Sequence, residues 1–253
     1  MNAPLLKLPN PPIVEAVLDI ECDLPPDQQL TALEAPAREV YTDRYPLCRP
    51  QIFQEHQIET RPDVALNVSV RHGITAIQFL QGDEKQLVQV RAQGYTFNRL
   101  APYASLDDYL PEIERTWRLY VGLASPVQIR LIRLRYINRI LLPLINGRVE
   151  LDAYFRVFPH LPDEERLALV GFLHQHAAVE SGTGNQVQIV FTSQHPEGNK
   201  LPVIFDNTAA TAEVGEPDNW DWIAEKIDAL RALKNHVFER SLTQKCLNLF
   251  QQQ

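Results

Sequence analysis

The chain has 253 residues, of which 45% are hydrophobic and 22% are charged, as in ordinary globular proteins. Its net charge of −8 at pH 7 comes from acidic residues spread along the sequence, which argues against non-specific binding to nucleic acid or to anionic membranes. The three cysteines show no C-x-x-C spacing, so neither a disulfide framework nor a structural zinc site is indicated. Without an export signal or a membrane-length apolar run, we expect a soluble cytoplasmic protein.

The first half of the chain, approximately residues 1–123, reads as a strand, a helix, a meander and a second helix. An apolar run at 13–22 predicts the strand, and a helix capped by Asp27 follows it. The predicted apolar stripe of this helix consists of Leu30, Leu33, Ala37 and Tyr41. Three alternating runs between residues 48 and 97 predict an antiparallel meander. A second helix follows, with Ser105 or Asp108 as its cap.

The second half, approximately residues 124–253, repeats this order of elements. A strand at 127–142 leads through a short helix and loop to three further strand-like runs. A long helix closes the half, and Ser241 with Gln244 fits a capping box that opens a last short helix. The apolar stripe predicted for the long helix consists of Ile223, Ile227, Leu230, Leu233 and Val237.

Both halves therefore read β-α-β-β-β-α. Helices segregated on one face of antiparallel sheets define the α+β class, and we expect one domain, 1–253, built from these two similar halves. The order of elements carries this inference, because no residue-level repeat accompanies it.

The segment LIRLRYINRI at 131–140 places arginines in a strand that otherwise reads as buried. The apolar alternation slips at Leu131–Ile132, which predicts a β-bulge. Arg133 and Arg135 then share a face, and Arg139 follows two steps beyond Ile137.

Two interpretations of these arginines stay open. In the first, their stems cover apolar neighbours and their guanidinium groups pair with carboxylates on adjacent strands. In the second, they bind a carboxylate or phosphate ligand through bidentate hydrogen bonds, and Tyr136 and Asn138 add neutral hydrogen-bonding groups. The predicted ligand-binding set is Arg133, Arg135, Tyr136, Asn138 and Arg139.

The segments PPIVEAVLDI, LAPY and RYIN resemble a sporadically distributed TIGR-series family of uncharacterised bacterial proteins of similar length. The resemblance spans nearly the whole chain, and RYIN at 135–138 is its most specific element. It implies a bacterial origin and implies no particular activity. In VIFDNTAAT the resemblance leads us to expect a second acidic residue soon after Asp206, where the chain has Asn207 and Thr208.

A second candidate site lies in the segment HQHAAVE. His174 and His176 are two residues apart and point the same way on a strand, with Glu180 four residues further on. This His-x-His-x3-Glu spacing resembles the first metal-binding motif of cupins, which implies His174, His176 and Glu180 as ligands of a divalent transition metal. Ordinary polar residues of an exposed strand are the alternative.

We favour a binding or protein-interaction function over catalysis, and the sequence predicts no catalytic residues and no cofactor. The arginine-rich strand is expected to receive a small anionic ligand or the acidic segment of a protein partner. A metal-dependent enzyme that uses the histidine motif is one alternative. Another is a structural subunit that forms oligomers or larger assemblies through its C-terminal helices.

Overall fold

The computed structural model describes residues 8–61, 64–162, 166–167 and 169–251, and within these the side chains of 53–73 are outside the description. The described strands form one antiparallel sheet of nine strands in the order β2-β3-β4-β5-β1-β6-β9-β8-β7. Their bounds are β1 (Ile13–Asp23), β2 (Leu47–Arg61), β3 (Val64–Leu80), β4 (Gln86–Arg91), β5 (Gly94–Leu100), β6 (Gln128–Pro143), β7 (Leu173–Val179), β8 (Gln186–Ser193) and β9 (Lys200–Thr211).

The described helices pack on one face of this sheet, which we call the helix face. They are α1 (Leu30–Tyr41), α2 (Leu106–Ala124), α3 (Leu151–Tyr154), α4 (Trp220–Ser241) and α5 (Gln244–Asn248). The expected α+β architecture with helices on one face is confirmed. Within the described part of the chain, no helix is both long and apolar enough to cross a bilayer.

The strand order is arranged around the central pair β1 and β6. Each of these strands is followed in sequence by a helix and then by a meander whose last strand, β5 or β9, returns to pair with it. The first meander has four strands where the sequence predicted three, because the third predicted run is a tight hairpin of β4 and β5. Gly94 at its turn has φ +145, and a Cβ there would lie 2.0 Å from the Ile20 carbonyl oxygen, so the close approach of β5 to β1 requires glycine.

Two apolar clusters fill the helix face. The larger one lies beneath α1, α2 and the first half of α4, and it includes Leu18, Ile20 and Leu134 from the central strands. The smaller one is aromatic: Phe205 stacks on Phe191 with ring centroids 4.2 Å apart and on Phe238 of α4 at 5.5 Å. Since side chains alternate along a strand, only one residue in two of each strand reaches these clusters.

The predicted phase slip in β6 is confirmed as a bulge. Glu21 pairs with Leu131 and Cys22 pairs with Ile129, which leaves Arg130 as the extra residue. Beyond the bulge, even-numbered residues from Ile132 to Leu142 are buried on the helix face.

Several predicted helix details are corrected. In α4 the buried stripe continues from Leu230 to Lys234 and Phe238, whereas Leu233 and Val237 are only partly buried. Helix α1 begins after Gln29 rather than at an Asp27 cap. The side chain that caps α5 is Thr243, which accepts from the Cys246 amide, and not Ser241. In α2 the Ser105 side chain accepts a hydrogen bond from the Asp107 amide, so Ser105, and not Asp108, is the N-cap.

Candidate functional site

The predicted ligand-binding set is divided between the two faces of the sheet. Tyr136 and Asn138 are buried on the helix face, and Arg133 and Arg135 alternate with them onto the opposite face, which we call the arginine face. Arg139 follows the same alternation onto the arginine face. The arginines and the two neutral residues therefore cannot line one common space, which corrects the sequence-based grouping.

Arg133 belongs to a buried carboxylate network on the arginine face. Its Nη1 lies 2.8 Å from Oδ2 of Asp19, its register partner on β1, and its Nη2 lies 3.4 Å from Oε1 of Glu21. Arg91 of β4 donates to the other carboxylate oxygen of Asp19. Burial raises the pKa of Asp19, and the charges of Arg91 and Arg133 oppose that rise. Asp19 is thus the common counter-ion of two arginines, one from the adjacent strand β6 and one from β4, which lies two strands away in the sheet.

Arg135 and Arg139 are also paired. Arg135 binds Asp206 of β9 through Nε at 2.9 Å and through Nη2 at 2.5 Å, a bidentate arrangement. This hydrogen-bonded pair raises the pKa of the Arg135 guanidinium. Arg139 donates to Gln194 at 3.1 Å and to Glu197 at 2.5 Å. An anionic ligand on this face must compete with carboxylates that the fold already provides.

The helix face contains a cavity of about 520 Å³ that is partly open to solvent. Four parts of the chain enclose it: the segment that enters β1, the loop that enters α2, the middle of β6 and the second half of α4. Tyr136 and Asn138 of the RYIN segment reach this cavity together with Lys234 of α4. We call it the Lys234 cavity.

Lys234 is buried in this cavity, with 7% of its surface exposed. Its Nζ lies 3.6 Å from the centroid of the Tyr136 ring, a cation–π geometry. In the part of the chain that the structure describes, the ammonium has no hydrogen-bond acceptor and no carboxylate partner. Burial, together with the smaller effect of the nearby Arg231 charge, lowers the pKa of Lys234 to about 7.

Asn207 of β9 fixes the position of Lys234. It faces Tyr136 across the β6–β9 ladder, and its Nδ2 donates to the Lys234 backbone carbonyl at 2.8 Å. Asn207 is fully buried, and its Oδ1 lacks a hydrogen-bond donor among the described residues. The position at which the resemblance led us to expect an acidic residue therefore holds an amide that anchors α4 to β9.

Other titratable groups surround the cavity. The hydroxyls of Tyr103 and Tyr136 lie 2.6 Å apart, and burial raises the pKa of both, that of Tyr136 to about 12. Arg231 is paired with Asp107 at 2.5 Å and with Asp228 at 2.8 Å. The remaining acidic groups that line the cavity are Asp108 and Glu239. Among these lining residues, Lys234 is the cation that lacks a counter-ion.

The histidine motif lies on β7, at the edge of the sheet. His174 and His176 do share a face, and their Nε2 atoms are in contact. Glu180 follows the strand and accepts from Asn185 Nδ2 at 3.2 Å within the next turn. Four residues of extended chain span about 13 Å, which keeps Glu180 away from the pair. The described residues contain no cluster of three or more potential ligands that could hold a metal ion.

The helical spacing of α4 contains a signal that Lys234 is buried. Continuing the stripe Ile223, Ile227, Leu230 by one helical turn leads to residue 234 as well as to residue 233. Both positions fit the spacing, and Lys234 rather than the apolar Leu233 is the buried one. A buried lysine is rare unless it is paired.

Neither a scan against protein-family models nor a search of curated proteins gives a match for the chain.

Proposed function

We propose that the protein binds a small organic anion in the Lys234 cavity, with the Lys234 ammonium as its counter-ion. The observation that carries this proposal is a buried lysine without an acidic partner among the described residues. A buried charge is costly unless it is paired. A ligand carboxylate beside Nζ supplies the missing charge and raises the pKa of the lysine towards its ordinary value.

The cavity favours a small monoanion with an apolar body. Its volume of about 520 Å³ is typical of small-molecule sites. The apolar part of its lining includes Pro12, Ile13 and Phe238. Asp108 and Glu239 also line the cavity, and their negative charge disfavours a dianion such as sulfate because like charges repel.

The proposed ligand is a small anion, as expected from the sequence, but the proposed site is the Lys234 cavity and not the arginine face. The arginine-rich strand contributes through Tyr136 and Asn138 on the helix face, while its arginines are occupied by Asp19, Asp206 and Glu197. Binding, rather than catalysis, remains the function that we favour.

Binding is tested by thermal shift and calorimetry with acetate, butyrate, benzoate and 3-phenylpropionate, with sulfate as the dianion. We expect a monocarboxylate to stabilise the protein and its affinity to fall as the pH rises above about 7, where free Lys234 loses its proton. Lys234→Met should abolish the effect. Lys226→Met is the matched control, since Lys226 lies on the same helix but is paired with Glu213 at 2.7 Å. Equal binding by wild type and Lys234→Met contradicts the proposal.

The finer expectations about cellular context stay predictions. These are a cytoplasmic location, membership of the bacterial family that the sequence resembles, and oligomers formed through the C-terminal helices. Sedimentation of the purified protein tests the last of them.

A further inference from the structure

We propose that Lys234 forms a reversible imine with a 2-oxo acid in the Lys234 cavity. This inference rests on the proposed function, because it identifies the small anion as one that carries a carbonyl group next to its carboxylate. It assigns the Lys234 side chain a covalent role in addition to its electrostatic one.

The geometry favours a nucleophilic amine. Imine formation requires an unprotonated amine that reaches a space large enough for the carbonyl compound. Lys234 lines the cavity, and its Nζ lies against the Tyr136 ring. None of the described carboxylates pairs with this amine to stabilise its protonated form. With a pKa of about 7, about half of the lysine is neutral at pH 7, against less than about one in a thousand for an ordinary lysine.

Lys226 provides a contrast within the same helix. Its Nζ also lies near an aromatic ring, 5.6 Å from the centroid of Trp222, but it forms an ion pair with Glu213 at 2.7 Å. The Glu213 carboxylate occupies the Lys226 ammonium in an ion pair, whereas Lys234 has no such fixed partner among the described residues. The pairing of the amine, rather than the presence of a ring, distinguishes the two sites.

The step is balanced without an oxidant or reductant. The neutral amine adds to the carbonyl carbon, a C–N bond forms, and the carbonyl oxygen becomes a hydroxyl as the nitrogen releases one proton. The C–O bond then breaks, and the hydroxyl leaves as water with the second proton of the nitrogen, which gives the C=N bond, so the products are one imine and one water molecule. Hydrolysis reverses the step, which makes the adduct reversible.

The carboxylate of a 2-oxo acid suits the surroundings of the amine. It places a negative charge beside the nitrogen, where a protonated imine retains the positive charge that the ammonium had. Asp108 and Glu239 on the cavity wall restrict the remainder of the ligand to a neutral group. The apolar walls accommodate an alkyl or aryl substituent at the carbonyl carbon.

The experiment traps the imine in the full-length protein. The protein is incubated with pyruvate, 2-oxobutyrate or phenylpyruvate at about pH 7.5, above the lysine pKa so that the amine is mainly neutral, and cyanoborohydride reduces any imine. Intact mass spectrometry should show a gain equal to the ligand mass less one oxygen atom. Peptide mapping should place the adduct on Lys234, at least about tenfold above Lys226, because the Lys234 amine lines the cavity without a carboxylate partner whereas Lys226 is paired with Glu213.

Lactate and 3-phenyllactate, which lack the carbonyl group, separate this inference from the proposed function. A 2-oxo acid adduct on Lys234 that is lost in Lys234→Arg and kept in Lys226→Arg supports the imine. Binding of the hydroxy acids without any trapped adduct at Lys234 overturns the imine and leaves anion binding intact. Absence of both binding and adduct overturns both proposals. Because the adduct is mapped in the wild-type protein, the result does not depend on whether Lys234→Arg folds.

Discussion

The Nζ of Lys234 on α4 lies 3.6 Å from the centroid of the Tyr136 ring on β6. This contact joins the long C-terminal helix to the centre of the sheet, and it leaves the lysine facing a cavity rather than a carboxylate. The ring partly compensates the charge, since a cation over an aromatic face gains a fraction of the energy of a hydrogen-bonded ion pair. The Lys234 ammonium is therefore less stable in the folded protein than the ammonium of a lysine exposed to water.

Replacing Lys234 with methionine should stabilise the ligand-free protein, most strongly at low pH. The folded-state pKa of about 7 lies below the ordinary 10.5, so the unfolded chain binds more protons between these values and wild-type stability rises with pH across that window. The advantage of Lys234→Met is largest below pH 7, at most about 5 kcal/mol for the full shift. It declines as the pH approaches 10.5.

Urea unfolding across this pH range measures the effect. Lys226→Met is the control variant, because Lys226 lies on the same helix and forms an ion pair with Glu213 at 2.7 Å. A stability difference between wild type and Lys234→Met that does not change between about pH 6 and pH 10 would show that Lys234 is protonated normally in the folded protein.

Arg135 and Asp206 should be coupled only weakly. Their hydrogen bonds are bidentate, but 44% of the Arg135 side chain is exposed, so solvent screens the pair. A double-mutant cycle with Arg135→Gln and Asp206→Asn should give a coupling energy of about 1 kcal/mol or less. A coupling above about 3 kcal/mol would indicate a buried structural pair instead.

Asp19 should matter far more than its neighbour Glu21. Asp19→Asn removes the shared counter-ion of Arg91 and Arg133, and we expect a loss of at most about 3 kcal/mol, because both arginines reach water and burial already disfavours the Asp19 charge. Glu21→Gln breaks only a 3.4 Å contact at a more exposed site and should cost less than about 1 kcal/mol. Equal losses in chemical denaturation would contradict the structure of this network.

Leu230→Ala should be the more costly of two leucine truncations on α4. Leu230 is fully buried between the helix and the sheet, and its loss should cost roughly 2 to 5 kcal/mol. Leu233→Ala, one helical turn along and only partly buried, should cost less than half as much, because less apolar surface is removed from contact. Calorimetric melting of both variants checks the order, and a larger loss for Leu233→Ala than for Leu230→Ala would contradict the burial of the two side chains described above.

The sequence by itself determined the fold class and most of the buried faces. Period-two alternation placed the helix-face residues of β6, and the slip at Leu131–Ile132 located its bulge, because a single extra residue reverses every later side chain. The apolar stripe of α1, from Leu30 to Tyr41, is buried as its spacing predicted. These features depend on local periodicity, which a sequence records directly.

Only the tertiary structure decided which residues share a site. Tyr136 and Arg135 are adjacent in sequence, yet one lines a cavity with Lys234, nearly a hundred positions away, and the other pairs with Asp206 on the opposite face. Whether the halves form one sheet, and which carboxylate meets which arginine, depends on strand order and register. The free energy that selects these pairings is summed over contacts distant in sequence, so no local pattern encodes them.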